Sequence, residues 1–239
     1  MQISTLQRPV SLVAEVCTRL SQLILGPPAH EESRWLPPER SLAQQLGVSR
    51  SVVREATKRL EQQGLVEIQH GAGIKIVRQL HRPLSDSLSL LIPDIQSRLL
   101  QLHETRLAIE PAAAALAALR ASPEELRAIR DSHAKLQAAT TTTDAIEADL
   151  EWHQRVAEAG GNRIFCLILN SLDDLGRESL MRTVGRIGKT TAVEHHALVL
   201  SALEQRDADT AAEAMRQHVL AALRDMRLDD SGDEKTAHF

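Results

Sequence analysis

The chain has 239 residues, 43% of them hydrophobic and 25% charged, so it is long and apolar enough for two domains with cores of their own. It holds no apolar run near the roughly 18 residues a membrane helix needs and no basic-then-apolar leader, so neither a span nor a secretory signal is expected. The net charge of −4 hides a split: residues 1–80 carry ten Lys/Arg against seven Asp/Glu and residues 81–239 eighteen against twenty-five, so the first part suits nucleic acid and the second repels it.

Aromatic residues are 2% of the chain, Tyr is absent, and Ala and Leu abound, which predicts a mainly α protein built by helix-on-helix packing. Cys17 and Cys166 are far apart in apolar helical contexts, so buried free thiols in a reducing cytoplasm are expected.

In chain order, residues 1–9 read as a loose arm. Val10–Leu25 is an amphipathic helix with Leu12, Val13, Val16, Leu20, Leu23 and Ile24 available for packing. Gly26–Pro38 is a connection rich in Pro and acidic residues. The pattern then sharpens over LPPERSLAQQLGVSRSVVREATKRLEQQGLVEIQHGAGIKI, residues 36–76. Ser41 can cap a short helix whose apolar side is Leu42, Ala43 and Leu46, and Gly47 stops it. Ser49 can cap a second helix with Val52, Val53, Ala56 and Leu60 inward and Arg50, Ser51, Arg54 and Lys58 outward. Gly64 ends that helix. Leu65–Gln69 alternates like a strand, and a Gly71-Ala72-Gly73 turn leads to Ile74–Ile76. A helix-turn-helix followed by a two-stranded wing is a module that reads DNA.

This run resembles the winged helix-turn-helix of the GntR family of bacterial transcription regulators, without a gap over about forty residues. The resemblance implies DNA contacts from Arg40, from Ser49, Arg50, Ser51 and Arg54 at the start of the recognition helix, and from His70 and Gly71 at the wing tip. The chemistry suits those roles: Arg can bridge guanine O6 and N7, while Ser and a helix N-terminus suit phosphate. The connection before Pro38 is longer than the family's usual one, which bears on that loop and not on the motif.

Residues 77–86, VRQLHRPLSD, read as a linker, followed by a short helix near Ser85–Leu91. Helical periodicity then predicts helices at Ile95–Leu119, kinked at Pro111, at Pro123–Ala138 behind a Ser122 cap, and at Asp144–Ala159. After the Gly160-Gly161-Asn162 break, with Asn162 read as an N-cap, come helices at Arg163–Arg182, Thr191–Gln205 and Asp209–Met226. The expected organisation is a winged domain at 1–79, a connecting stretch at 80–94, a helical domain at 95–228 and a disordered tail at 229–239.

The order RLAIEPAAAALAA, DLEWH, GGN and EHHALVLSALEQRDADTAAEAMRQH resembles the helical ligand-binding (FCD) domain of the FadR-type branch of the same family. Asp149 and His153 are four apart, so they share one helix face. The resemblance implies that they bind a divalent metal with His196 and His218. Three imidazoles and a carboxylate suit zinc first, with nickel and manganese as alternatives. His195 is the competing register; His196 is preferred because it shares a stripe with Val199, Leu200 and Leu203. Trp152 replaces the family's usual Phe, a change expected to affect packing rather than coordination. Arg106 either holds a ligand carboxylate or pairs with Glu110 one turn on. Arg182 and Arg186 are weaker effector candidates.

The expected function is a cytoplasmic, homodimeric DNA-binding regulator, a repressor by family resemblance. It would bind a palindromic operator under the control of a small carboxylate such as a sugar acid or organic acid. A regulator with a purely structural metal and no effector is the alternative. A metal-dependent hydrolase is disfavoured because no motif supplies a general base beside the metal.

Overall fold

The computed structural model describes residues 11–26 and 35–233; the arm predicted at residues 1–9 and most of the connection after Gly26 lie outside the described residues. The chain divides into two compact units at Asp86/Ser87. The first holds α1 (Leu12–Leu25), β1 (Trp35–Leu36), α2 (Glu39–Leu46), α3 (Arg50–Gln62), β2 (Val66–Gln69) and β3 (Gly73–Ile76), and α4 (Arg82–Leu91) spans the division. The second holds α5 (Ile95–Arg120), α6 (Pro123–Ala138), α7 (Thr142–Ala159), α8 (Arg163–Ser171), α9 (Asp173–Ile187), α10 (Thr190–Glu204) and α11 (Ala208–Asp233).

In the first unit, α1 turns Val13, Val16, Leu20 and Ile24 onto Leu42, Val53, Ala56 and Leu60 of α2 and α3. Leu12 and Leu23, expected to pack, are exposed instead, because they fall off the single inward stripe that a helix on one small core can bury. The wing has three strands rather than two. Trp35 and Leu36 pair antiparallel with Lys75 and Ile74, giving the order β1-β3-β2. A two-residue strand carries too little alternation to be read from sequence. Gly47 ends α2 in the left-handed region, with φ 66°. Gly64, with φ 73°, has a tighter reason to be glycine: a Cβ there would lie 2.1 Å from the Gln79 carbonyl oxygen. Gln79 N–H donates back to the Gly64 carbonyl at 2.6 Å, which folds the linker onto the end of α3.

Ser41 does not cap α2. The helix begins at Glu39 behind Pro38, and Ser41 sits inside the first turn. Ser49 does cap α3, accepting from Val52 N–H. In the second unit Ser122 and Glu125 form a reciprocal capping box, and Asn162 accepts from Ile164 and Phe165 N–H. Thr141 caps α7, which therefore starts at Thr142, two residues before the expected Asp144.

The core of the second unit lies where the alanine-rich half of α5 meets α10 and α11. Ala114, Ala117 and Ala118 are fully buried against Val199, Leu203, Met215 and Val219, since small side chains let helices approach closely. α5 continues through Pro111 to Arg120. The helix expected over residues 163–182 is instead two, α8 and α9, divided at Leu172. No Gly or Pro marks that division in the sequence. Asp173 and Asp174 open the new helix, where acidic groups favour the N-terminal end of the helix dipole. α11 runs past Met226 to Asp233, so residues 229–233 are helical where a disordered tail was expected; residues 234–239 lie outside the described residues. Cys17 and Cys166 are free but half-buried rather than buried, and burial raises both thiols above their ordinary value.

Candidate DNA interface and metal centre

In the first unit, α3 buries Val53, Ala56 and Leu60 and so presents its other side to solvent. Arg40, Ser49, Arg50, Ser51, Arg54, His70 and Gly71 are all exposed. The Ser49 and Ser51 hydroxyls are 2.8 Å apart at the N-terminal end of α3. Arg54 is not free: its Nη2 lies 3.0 Å from Glu39 Oε2, and its Nε lies 3.3 Å from both carboxylate oxygens. Glu39 thus holds the guanidinium beside the recognition helix. Gly71, with φ 80°, forms the wing turn and has nothing within 4 Å of where a Cβ would stand.

In the second unit, α7, α10 and α11 bring the four candidate ligands together. Potential ligand atoms of His153, His196 and His218 all lie within 4.8 Å of one another. His153 Nε2 is 3.1 Å from His218 Nε2 and 3.7 Å from Asp149 Oδ2, and His196 Nε2 is 3.6 Å from Asp149 Oδ1. Donor atoms arranged tetrahedrally around an ion at 2.0–2.2 Å stand roughly 3.4 Å apart, so this spacing suits one small cation. His196 is fully buried, yet neither ring nitrogen has a hydrogen-bond partner. Such unmet polar atoms are costly in a core, and an ion on Nε2 would satisfy one of them. Burial, followed by the surrounding imidazoles and Arg106, holds His196 and His218 well below the usual histidine range, so both rings are neutral and competent to ligate at pH 7. Burial also raises the Asp149 carboxyl, against the lowering effect of His153 and Arg106.

His195 is half-buried, and its ring lies 5.9 Å from that of His218. His196 instead stacks on Trp152, with ring centroids 3.6 Å apart and planes 7° from parallel. Trp152 is itself fully buried, so the indole forms the floor on which one candidate ligand rests.

Glu110 and Arg106 stand behind this cluster on α5. The pair is buried, with Arg106 Nε 2.5 Å from Glu110 Oε1. Arg106 Nη2 lies 3.0 Å from His153 Nε2. Guanidinium only donates, so that nitrogen is an acceptor and the ring proton is on Nδ1. Nδ1 is 2.9 Å from Glu110 Oε2, though off the line of a well-aligned hydrogen bond. A carboxylate behind a histidine is the usual means of orienting a metal ligand. Burial alone would raise Glu110, but Arg106 and His153 hold it well below the usual carboxylate range. The sequence identified Glu110 only as a partner of Arg106; its contact with His153 comes from the crossing of α5 and α7.

Two cavities flank the cluster and share Arg106 and Asp149. One, of about 30 Å³, reaches Gln154, Leu172 and Asp173; the other, of about 50 Å³, reaches Thr183, Thr191 and His218. Arg182 is not among the residues lining either cavity and pairs with Glu178 on its own helix at 3.3 Å. The side chain of Arg186 lies outside the described residues. Gln154 and Asp173 were not expected at the site. Asp173 reaches it only because the chain divides at Leu172.

Residues 12–76 match the family described as bacterial regulatory proteins of the gntR family, and residues 101–221 match the FCD domain. The chain is 27% identical to the Uxu operon regulator of Haemophilus influenzae, covering 96% of this chain and 88% of that protein. It is 29% identical to the Uxu operon transcriptional regulator of Escherichia coli, covering 89% and 84%. The structure of Streptococcus agalactiae GntR superposes with a TM-score of 0.71 at 25% identity, covering 89% of this chain and 99% of that one. The solvent-facing recognition helix, the wing and the helical unit thus agree with both matches: this chain belongs to the GntR family, in its FadR-type branch with an FCD domain, and is a DNA-binding transcription regulator rather than an enzyme.

Proposed function

We propose that the protein is a cytoplasmic homodimer that represses transcription from a palindromic operator, and that a small carboxylate bound in the helical unit controls its affinity for DNA. Relatives named as regulators of the Uxu operon support regulation of an operon. Two winged heads on two half-sites gain affinity through linkage, since one head alone offers a small surface. The observation that carries the effector reading is the juxtaposition of a buried Arg106 with the Asp149, His153, His196 and His218 cluster, beside two cavities.

Asp149, His153, His196 and His218 would hold a divalent ion, zinc first among the candidates. When bound, that ion supplies a Lewis-acidic centre for a carboxylate oxygen. Glu110 would keep the His153 proton on Nδ1 and leave Nε2 as the ligating atom. Arg106 at present donates to that atom, so occupation of Nε2 would release a guanidinium N–H toward a ligand anion. A ligand that binds one arrangement of the helices better than another shifts the population of the dimer, and by linkage its affinity for the operator.

At the DNA end, Arg50→Ala and Arg54→Ala should each weaken specific operator binding by about 1–3 kcal/mol for every base that the arginine reads. Titrations at fixed salt, against operator and scrambled DNA, measure this. Unchanged discrimination in both variants would remove these residues from base readout.

At the other end, protein purified without chelator should carry about one ion per chain, and His153→Ala should carry none. Elemental analysis reads the ion. A thermal-shift series with organic acids reads the effector, because a ligand at a hundred times its dissociation constant adds about 2.7 kcal/mol of stability. An ion that raises the melting temperature, with no acid altering either melting or operator affinity, would make the metal structural and defeat the effector reading.

A further inference from the structure

Trp35 stands on an outer strand of the wing with 40% of its surface exposed, while Leu36 beside it is buried in the core. Alternation therefore puts the indole on the outer face of the sheet, in one row with its cross-strand partner Lys75 and with Glu67 beyond it. One row nearer the tip, on the same face, Gly73 lies opposite Gln69. Gly73 offers no side chain there, and the Gln69 amide turns back along its own strand to Glu67 Oε1 at 3.1 Å. The indole covers the glycine along the diagonal: its Cε3 and Cζ3 stand 3.6 and 3.9 Å from where a Gly73 Cβ would be. Diagonal neighbours are within reach of an aromatic ring, and an aromatic beside a strand glycine restores packing that the glycine lacks.

This glycine is where the wing most needs a brace. Gly71 and Gly73 have φ 80° and 122°, conformations that L side chains rarely adopt, so the turn is built from residues with much freedom to lose. A two-stranded ribbon by itself is marginal in water. His70 and Gly71 lie at its tip, which Ala72 N–H closes on the Gln69 carbonyl at 3.0 Å. Trp35 is the one Trp, Phe or Tyr in the first unit, so no second ring shares the task.

We propose that Trp35 is a positioning residue of the wing: its indole, laid across β3 onto Gly73, holds His70 and Gly71 in the orientation in which they meet DNA. This rests on the reading of His70 and Gly71 as DNA contacts, and it adds a residue that acts through them. The recognition helix does not depend on the brace, so Trp35 serves the contact made by the wing and not the one made by Arg50.

The test uses full-length protein and the duplex that the wild type selects from a random pool. Trp35→Ala should bind it roughly ten-fold more weakly. Trp35→Phe, which keeps a ring on Gly73, should stay close to wild type, and Trp35→Thr, a strand former without a ring, replaces the Ala variant should that one fail to fold. Trp35→Ala combined with His70→Ala should lose little beyond His70→Ala alone, because both remove the same contact. Combined with Arg50→Ala, its loss should add in full. Hydroxyl-radical footprints of Trp35→Ala should lose the protection that His70→Ala also loses, while dimethyl sulfate protection of guanine N7 in the major groove persists. A Trp35→Ala protein that binds and protects like wild type, when His70→Ala does not, would overturn the inference and leave the wing contact standing. So would a loss that adds in full to that of His70→Ala, because Trp35 would then act elsewhere. If His70→Ala changes neither affinity nor footprint, the reading of the wing tip itself fails, and the inference with it.

Discussion

Glu110→Ala should destabilise the helical unit by about 3–5 kcal/mol, the usual cost of removing one partner from a buried ion pair. Arg106 and Glu110 are 8% and 4% exposed, so neither charge can turn to bulk water when the other is removed. In the intact protein the guanidinium is met by Glu110 at 2.5 Å and by His153 Nε2 at 3.0 Å. Truncation leaves it with an imidazole, while His153 Nδ1 is deprived of the carboxylate 2.9 Å away. Glu110→Gln retains an acceptor for Arg106 and should be less destabilising. Urea unfolding of chelator-treated protein measures both variants without a contribution from an ion. A loss of stability below about 1 kcal/mol for Glu110→Ala, far under the expected cost, would mean that Asp149 or Asp173 takes over the guanidinium.

Acid should weaken the fold through His103, and His103→Asn should remove that sensitivity. His103 is 1% exposed and shares a 3.0 Å hydrogen bond with Ser179 Oγ across the α5–α9 contact. Burial, then the positive field of Arg106, lowers its pKa from the ordinary 6.5 to about 3. Below pH 6.5 the unfolded chain takes up a proton that the folded chain refuses. The stability from His103 is therefore complete above the unfolded pKa and is lost as pH falls from 6.5 toward 3, by up to about 1.4 kcal/mol per pH unit. His196 and His218, also held neutral by burial, act in the same direction. Asp173, raised to about 6, acts oppositely, because the folded chain binds its proton first. The difference between wild type and His103→Asn isolates one ring from these opposing groups. Unfolding free energies at pH 7 and pH 5, in the presence of chelator, should converge in acid by roughly 2 kcal/mol as the His103 contribution disappears. Parallel profiles would show that His103 is not held neutral in the fold.

The winged module was legible in the sequence because its information is local. Gly47, Ser49 and Gly64 sit at the ends of helices whose apolar stripes run only a few turns, and each is chosen by the backbone conformation or cap at its own position. The Ser122 capping box and the Asn162 cap were legible for the same reason. Asp149 and His153 could be placed on one face by helical geometry alone, and the resemblance supplied His196 and His218.

Other features depend on contacts between residues distant in the chain, and only the tertiary structure decided them. Strand β1 exists because Lys75 and Ile74 offer it an edge, not because two residues have a preference of their own. The division of α8 from α9 has no Gly or Pro signature, yet it carries Asp173 to Gln154. The contact of Glu110 with His153 depends on α5 crossing α7. Periodicity preferred His196 to His195 without removing the competing register; stacking on Trp152 sets the His196 ring inside the cluster and leaves its neighbour half-buried. Caps and stripes report on a single element, whereas a buried polar site is assembled from several; its distances are set by how those elements pack, which no short stretch of sequence contains.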